Sequence, residues 1–153
     1  MSLNRRSTLL VLGAAMLSPV AGLAADKPLV TVHKDPTCGC CGGWVTHIEL
    51  HNFPTKVIET SRLNAVKARL GIPVELHACH TAELDGYIVE GHVPARAIEK
   101  LLADRPNARG LAVPGMPLGS PGMTGEFQEY DVILFAPNDE QRVYGRFKGE
   151  KEI

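Results

Sequence analysis

Hydrophobic residues recur along the chain at two different spacings, and each spacing predicts a type of element. Residues 28–35 (PLVTVHKD) and 55–60 (TKVIET) are rich in β-branched side chains, which is typical of strands. Residues 43–53 (GWVTHIELHNF) lie between them and place their apolar residues on one helical face. The first part of the chain is therefore predicted to run strand, helix, strand.

The segment SRLNAVKARLG predicts a second helix. Leu63, Val66 and Leu70 form an apolar stripe at helical spacing. Ser61 is a residue type that caps helix N-termini, and Gly71 is a typical helix stop. We expect the stripe to face the core.

A hairpin and a third helix follow. The segment HTAELDGYIVEGHV contains Asp85-Gly86, a dipeptide that suits a type I′ turn between two strands. Pro94 then opens the helical segment PARAIEKLLAD, because proline is favoured at the start of a helix. The residues expected to face the core are Ile98, Leu101 and Leu102.

The C-terminal third reads as a loop and a second hairpin. Residues 110–126 (GLAVPGMPLGSPGMTGE) are rich in Gly and Pro and predict a long segment without regular structure. Residues 129–136 (EYDVILFA) and 142–148 (RVYGRFK) predict two strands joined through PNDEQ.

The predicted order of strand, helix, strand, helix, hairpin and helix is the α/β plan of thioredoxin-like folds (a βαβα-ββα core). The Gly/Pro/Met-rich loop and the C-terminal hairpin lie outside that plan, so we expect them to be appended to it. A chain of 153 residues has about the length of one domain. We predict a single thioredoxin-like domain over residues 25–153.

The first residues predict export. Arg5 and Arg6 precede the apolar stretch STLLVLGAAML, which is too short to span a bilayer, and SPVAGLA then supplies the small residues of a cleavage site. We expect residues 1–24 to be a signal peptide, cleaved after Ala24, and the mature chain to be periplasmic. A retained membrane anchor is the alternative, and NRRSTLL leaves Sec and twin-arginine export both open.

The composition and charge of the chain argue against several classes of partner and reaction. The fractions of hydrophobic (44%) and charged (22%) residues are those of an ordinary globular protein, and the net charge is −1. Without a basic patch, we expect neither nucleic acid nor, once the signal is removed, a membrane as a partner. No Ser/His/Asp set, phosphate loop or carboxylate pair occurs at a recognisable spacing.

The candidate chemistry lies in DPTCGCCGGW, which packs three cysteines into four positions. Cys38 and Cys41 have the Cys-x-x-Cys spacing between a predicted strand and a predicted helix, where free N–H groups and the helix dipole stabilise a thiolate. A dithiol enzyme needs only two thiols, so Cys40 between them favours a metal site. The two separated Cys-x-x-Cys pairs of structural zinc are missing, and clustered thiolates suit Cu(I) best.

Cys79 is expected to complete this cluster. In thioredoxin-like folds the loop before the third strand faces the Cys-x-x-Cys motif, and HACHT (77–81) occupies that loop in the predicted order. All four sulfur atoms would then converge, although a free buried Cys79 or a Cys79 disulfide is also compatible with the sequence.

Three motifs together resemble one family. HKDPTCGCCGGW, CHTAELDGYIVEGHVPARAIEKLL and RPNARGLAVPGMPLGSPGM occur in the order found in the CopG-like periplasmic metal-binding proteins, long catalogued as a domain of unknown function. The resemblance spans nearly the whole mature chain. It implies a thioredoxin-like fold, a role in copper resistance or homeostasis, and copper ligands at Cys38, Cys40, Cys41 and Cys79. Ala78 stands where members often have Ser.

Four further residues are candidate ligands or neighbours of the metal. Met116 and Met123, in the repeated PGM of the loop, could bind Cu(I) through their thioethers or form a hydrophobic lid. Strand alternation would point His80 away from Cys79, which favours a supporting role. His92 could bind copper or donate a hydrogen bond to a backbone carbonyl.

His47 and His51 have the i, i+4 spacing that can chelate a metal on a helix, but the edge of a half-exposed helix is the commoner explanation.

Three functions remain open from the sequence. The first is a periplasmic copper-binding protein that holds one or more Cu(I) ions or passes them to other periplasmic copper-handling proteins. The second is a thiol–disulfide oxidoreductase that uses Cys38 as nucleophile and Cys41 as resolving thiol, with or without a link to copper. The third is a structural module with two disulfides. The three clustered thiols favour the first function, so we expect a metal-binding protein rather than an enzyme; if the chain is an enzyme, we expect a thioredoxin-like oxidoreductase.

Overall fold

The computed structural model describes residues 26–138 and 140–153, which form a mixed α/β structure with eight strands in one sheet and three α-helices. The predicted signal peptide lies outside these residues. The strands are β1 (Val30–Lys34), β2 (Thr55–Glu59), β3 (His80–Leu84), β4 (Tyr87–Glu90), β5 (Gly110–Ala112), β6 (Glu129–Phe135), β7 (Gln141–Lys148) and β8 (Lys151–Glu152). The helices are α1 (Gly39–Leu50), α2 (Leu63–Leu70) and α3 (Ala95–Asp104), and a 3₁₀ turn spans Val74–Leu76.

The strand order in the sheet is β2-β1-β3-β4-β5-β6-β7-β8. The pairs β1–β2 and β4–β5 are parallel, and the other neighbours are antiparallel. The predicted sequence of elements up to α3 is confirmed, and so is the C-terminal hairpin of β6 and β7. The α/β class is therefore confirmed.

The predicted turn and one predicted helix stop have the expected backbone. Asp85 and Gly86 adopt φ values of +47° and +84°, as a type I′ turn requires, and they join β3 to β4. Gly71 ends α2 in the left-handed conformation, with φ +63°. In both places the local sequence alone determines where the chain reverses or the helix stops.

Two helix starts differ from the prediction. The first helix begins at Gly39 instead of near residue 43, so Cys38 occupies its cap position and Cys40 and Cys41 lie in its first turn. The predicted cap at Ser61 is wrong, because α2 begins at Leu63 and its cap position is Arg62. The hydroxyl of Thr60 accepts the backbone N–H of Arg62 at 3.0 Å, within the short connection between β2 and α2.

The prediction of a structureless segment from residue 110 is wrong at its beginning, where β5 pairs with β4 and β6. A Cβ atom at Gly110 would overlap the carbonyl oxygen of Ile88, so only glycine allows the strands to approach this closely. Through β5 the C-terminal hairpin continues the same sheet. The remaining loop, residues 113–128, is called the covering loop below.

Hydrophobic clusters cover both faces of the sheet. The larger one packs α1 and α3 against one face through Trp44, Ile48, Ile98 and Leu101, all fully buried. The smaller one packs Ile72 and Leu76, after α2, against the other face; its members are Ile72, Leu76, Ile88, Ala112 and Phe135. None of the helices in the described part of the chain has the length and hydrophobicity that a membrane crossing requires.

Candidate metal centre

A tight turn between β1 and α1 delivers the three clustered cysteines. The carboxylate of Asp35 accepts the backbone N–H and the hydroxyl of Thr37, at 2.9 and 2.6 Å, and its carbonyl accepts the N–H of Cys38 at 3.0 Å. Cys38 then occupies the cap position of α1, and Cys40 and Cys41 lie in the first turn. The free N–H groups and the positive end of the helix dipole therefore surround the cysteines.

Cys38 and Cys41 are joined by a disulfide, and Cys40 and Cys79 carry free thiols. Cys41 is fully buried, whereas the other three cysteines are half-buried. The structure thus holds the site in an oxidised form, in which two of the four sulfur atoms are bonded to each other.

All four sulfur atoms lie within 4.8 Å of one another and are called the four-sulfur cluster below. The Sγ of Cys40 is 3.6 Å from that of Cys38 and 3.9 Å from that of Cys79. Cys79 comes from the loop before β3, 38 positions beyond Cys41, whose Sγ is 3.5 Å from the Cys79 carbonyl oxygen. The fold brings the distant cysteine to the motif.

His92 presents a lone pair to the cluster. Its Nδ1 lies 2.7 Å from the carbonyl oxygen of Pro121, which can only accept, so Nδ1 carries the proton and donates. Nε2 is therefore unprotonated in the neutral ring, and it lies 3.0 Å from the Sγ of Cys79. The expected donation from His92 to a backbone carbonyl is confirmed, and this second-nitrogen hydrogen bond is typical of histidines that bind metals.

His80 is fully buried beside the cluster. Its Nδ1 is 3.3 Å from the Sγ of Cys79, and its ring centroid lies 4.5 Å from that of Trp44. The expectation that it points away from Cys79 is wrong, because β3 begins only at His80 and the alternation of strand side chains does not extend to residue 79. Its Nε2 has no hydrogen-bond partner among the described residues.

The electrostatics of this pocket favour neutral groups. Burial, together with the neighbouring Cys40, raises the pKa of the Cys79 thiol to about 12. Burial also lowers the pKa of His80 well below its ordinary value, as it does, less strongly, for His92. A cation bound here would replace the thiol proton and offset the cost of burying a thiolate.

The covering loop lies against the first turn of α1. A Cβ atom at Gly122, where φ is +87°, would overlap the backbone nitrogen of Trp44 and come within 2.8 Å of the Cys40 carbonyl oxygen. Gly43 faces the same contact from the helix, since a Cβ there would lie 3.0 Å from the Cα of Gly122. Two glycines thus allow the loop to touch the helix backbone next to the cysteines.

The two methionines of the covering loop differ in exposure. Met116 is 54% exposed. Met123 is half-buried and lines a surface cleft with Phe127 and residues 148–151. Their assignment as ligands or as a lid remains a prediction.

His47 and His51 converge with Glu150, but the geometry argues against a metal there. The Nε2 of His47 accepts the backbone N–H of Ala95 at 3.0 Å, so its proton is on Nδ1, which lies 3.0 Å from the Glu150 carboxylate. Neither nitrogen of His47 has a free lone pair. Its role here is to cap the N-terminus of α3.

Sequence reasoning missed a buried ion pair behind Cys79. Lys67 and Glu90 are 2% and 0% exposed, and their side chains form a salt bridge. A signal was available, because Lys67 completes the i, i+3, i+4, i+7 pattern of the α2 stripe, where a lysine is unexpected. Leu63, Val66 and Leu70 of that stripe are only half-buried.

Comparison with known proteins agrees with the sequence motifs. Residues 76–123 match the family described as "Protein of unknown function, DUF411". Two solved structures, titled "Copper resistance protein copG- Form 2" and "Copper resistance protein copG- Form 1", are 40% identical in sequence, with TM-scores of 0.76 and 0.75. Each match covers 79% of this chain and 98% of the other. No curated protein matches the chain.

Proposed function

Because the chain belongs to the family of the copper resistance protein CopG, we propose that it acts in copper resistance by holding Cu(I) on the thiolates of Cys38, Cys40, Cys41 and Cys79. The observation that carries this proposal is the convergence of the four sulfur atoms within 4.8 Å. Thiolates are soft ligands that select Cu(I). Short distances between them also allow one sulfur to bridge two ions, so the site can take one copper ion or several.

Copper binding by all four sulfur atoms requires reduction of the Cys38–Cys41 disulfide. Two electrons and two protons convert the disulfide into two thiols, and each thiol then loses its proton when it binds the metal. With the bridge intact, only Cys40 and Cys79 offer free sulfur donors.

Two nitrogen donors and a hydrophobic lid complete the proposed site. His92 offers its Nε2 lone pair 3.0 Å from the Cys79 sulfur, and the Nδ1 of His80 lies 3.3 Å from the same sulfur. These two histidines and Cys79 form a second group whose ligand atoms lie within 4.8 Å of one another. For Met123 we favour a position in a hydrophobic lid, since it is half-buried in the covering loop, and the same role for Met116 would require that loop to close further.

The proposal includes a periplasmic location and a thioredoxin-like core. The strand order β2-β1-β3-β4, with β1–β2 parallel and β3 antiparallel to β1, supports such a core, as does the Cys-x-x-Cys motif at the start of α1. The N-terminal export motif supports the location. Other periplasmic copper-handling proteins would be its partners.

The test is anaerobic titration of the reduced mature protein with Cu(I) against a competing chelator. We expect tight binding that is lost when the thiols are first blocked with iodoacetamide. Cys40→Ser removes the central sulfur and should weaken binding strongly, because this sulfur lies within 3.9 Å of both Cys38 and Cys79.

Two controls make this titration decisive. Urea unfolding of each variant shows whether the fold is retained, and the Thr46→Ser variant changes an exposed hydroxyl side chain of the same helix without touching a sulfur. Binding that stays unchanged in the Cys38→Ser, Cys40→Ser and Cys41→Ser variants would reject the proposal.

A thiol–disulfide oxidoreductase is the second candidate, and the Cys38–Cys41 disulfide at the N-terminus of α1 favours it. In the reducing direction the Cys38 thiolate attacks a substrate disulfide and releases one substrate thiol. Cys41 then attacks the mixed disulfide, releases the second thiol and leaves the Cys38–Cys41 bridge. Cys40 discriminates the two functions, because Cys40→Ala should retain disulfide reduction but lose tight copper binding.

A further inference from the structure

The buried pair of Lys67 and Glu90 has no role in the chemistry described above. Burying two charges is costly, and apolar residues of similar volume often stabilise a fold equally well. Lys67 is 2% exposed and Glu90 is fully buried, and they come from α2 and the end of β4. Such a pair points to a requirement for a hydrogen-bonding group at this place.

The carboxylate of Glu90 is hydrogen-bonded on both sides of Cys79. Its Oε1 accepts the Lys67 ammonium and, at 2.6 Å, the backbone N–H of Ala78. Its Oε2 accepts the hydroxyl of Thr81 at 2.6 Å, and that hydroxyl accepts from Lys67 at 2.8 Å. Residues 78 and 81 enclose Cys79, so one carboxylate holds the backbone N–H before it and the Thr81 side chain after it.

The backbone next to Glu90 adds to this arrangement. The N–H of Gly91 donates to the His80 carbonyl at 3.0 Å. Gly91 has φ +74°, and a Cβ atom there would lie 2.6 Å from the Cβ of Ala78. The loop that carries Cys79 is thus packed directly on the segment that carries Glu90 and His92.

We propose that Glu90 is a positioning residue for the copper site and that Lys67, which bonds both the Glu90 carboxylate and the Thr81 hydroxyl, holds that carboxylate in place. Together they hold the Cys79 sulfur 3.0 Å from the Nε2 of His92 and 3.9 Å from the sulfur of Cys40. This inference rests on the proposed copper function. Partners behind metal ligands commonly change metal affinity by about 10- to 100-fold when they are removed.

Two double variants separate the hydrogen bonds from the charges. Lys67→Met/Glu90→Leu removes the acceptor for Ala78 and Thr81 and fills the space with apolar side chains. Lys67→Met/Glu90→Gln is the matched control, because it also removes both charges but keeps a carbonyl oxygen at the same position. The two readouts are the rate of Cys79 alkylation by iodoacetamide in the metal-free protein, from peptide mass spectrometry, and the Cu(I) affinity of the reduced protein.

We expect the Leu variant to alkylate Cys79 several-fold faster than wild type and to bind Cu(I) about 10- to 100-fold more weakly, with the Gln variant close to wild type. Equal Cys79 alkylation in the Leu variant and wild type would overturn the positioning role. Faster alkylation with unchanged Cu(I) affinity would show that this position does not serve copper, which also overturns the proposal.

A failure of the proposed copper function gives a different result from a failure of the positioning role of Glu90. If wild type binds no Cu(I) while the alkylation difference between the two double variants persists, the copper function fails and Glu90 still positions Cys79. If the Leu variant does not fold, Glu90→Asp takes its place, since it keeps the ion pair but is too short to reach Ala78 and Thr81 together. Wild-type alkylation and affinity in Glu90→Asp would then refute the inference.

Discussion

The contact between the covering loop and α1 predicts a large effect of a very small substitution, Gly122→Ala. Alanine at φ +87° is strained by about 1–2 kcal/mol. The new methyl group would also overlap the Trp44 backbone nitrogen and lie 2.8 Å from the Cys40 carbonyl oxygen. Overpacking of this kind costs about 1–3 kcal/mol, which gives a loss of about 2–5 kcal/mol in the free energy of unfolding or of local loop opening.

Gly115→Ala is the matched control, because Gly115 lies in the same loop at φ +72° and its Cβ would meet nothing within 4 Å. It should lose only the backbone term of about 1–2 kcal/mol. Urea unfolding followed by the fluorescence of Trp44, the single tryptophan, measures the global change. Alkylation of Cys40 in native conditions detects loop opening. Equal unfolding free energies and equal Cys40 alkylation in the two variants would refute the packing described for this loop.

Three further predictions concern redox state, acid stability and the core. Reduction of the Cys38–Cys41 disulfide with a non-thiol reductant should raise Cu(I) affinity by at least ~10-fold, and equal affinity before and after reduction would contradict this. Burial lowers the pKa of His47 below its ordinary value of 6.5, and this effect outweighs the raising effect of Glu150. Below pH 6.5 the unfolded chain therefore binds a proton that folded His47 does not, so the free energy of unfolding decreases as the pH falls. In urea titrations at several pH values, His47→Gln should reduce this pH dependence of the free energy of unfolding by up to about 1.4 kcal/mol per pH unit. The same pH dependence in the variant and wild type would contradict this. Trp44→Phe removes the indole N–H that donates to a buried carbonyl at 2.9 Å and should cost about 1–3 kcal/mol of unfolding free energy, whereas wild-type stability would show that this bond contributes nothing.

The parts of the fold that could be predicted are those governed by local chemistry. Asp85-Gly86 and Gly71 act through their own backbone conformation, and the turn and the helix end occur where the sequence indicates. The apolar periodicity likewise predicts the three helices and most strands. Strand β5 was missed because its three residues, beginning at Gly110, have no periodicity of their own and are defined by strands from elsewhere in the chain.

The site shows the same division between local and long-range determinants. The spacing of Cys38, Cys40 and Cys41 is visible in the sequence, and the order of elements predicts where Cys79 lies. The surroundings of Cys79 are not local: the lone pair of His92 depends on the Pro121 carbonyl, 29 positions away, and the Ala78 N–H depends on Glu90. Hydrogen bonds between segments that meet only in the folded chain cannot be read from spacing.

X-ray absorption at the copper edge, recorded on the reduced, Cu(I)-loaded protein, shows whether the four-sulfur cluster binds copper. We expect a first coordination shell dominated by sulfur, and a loss of sulfur neighbours in the Cys79→Ser variant. A shell of nitrogen and oxygen alone, or a spectrum that does not change in that variant, would contradict it.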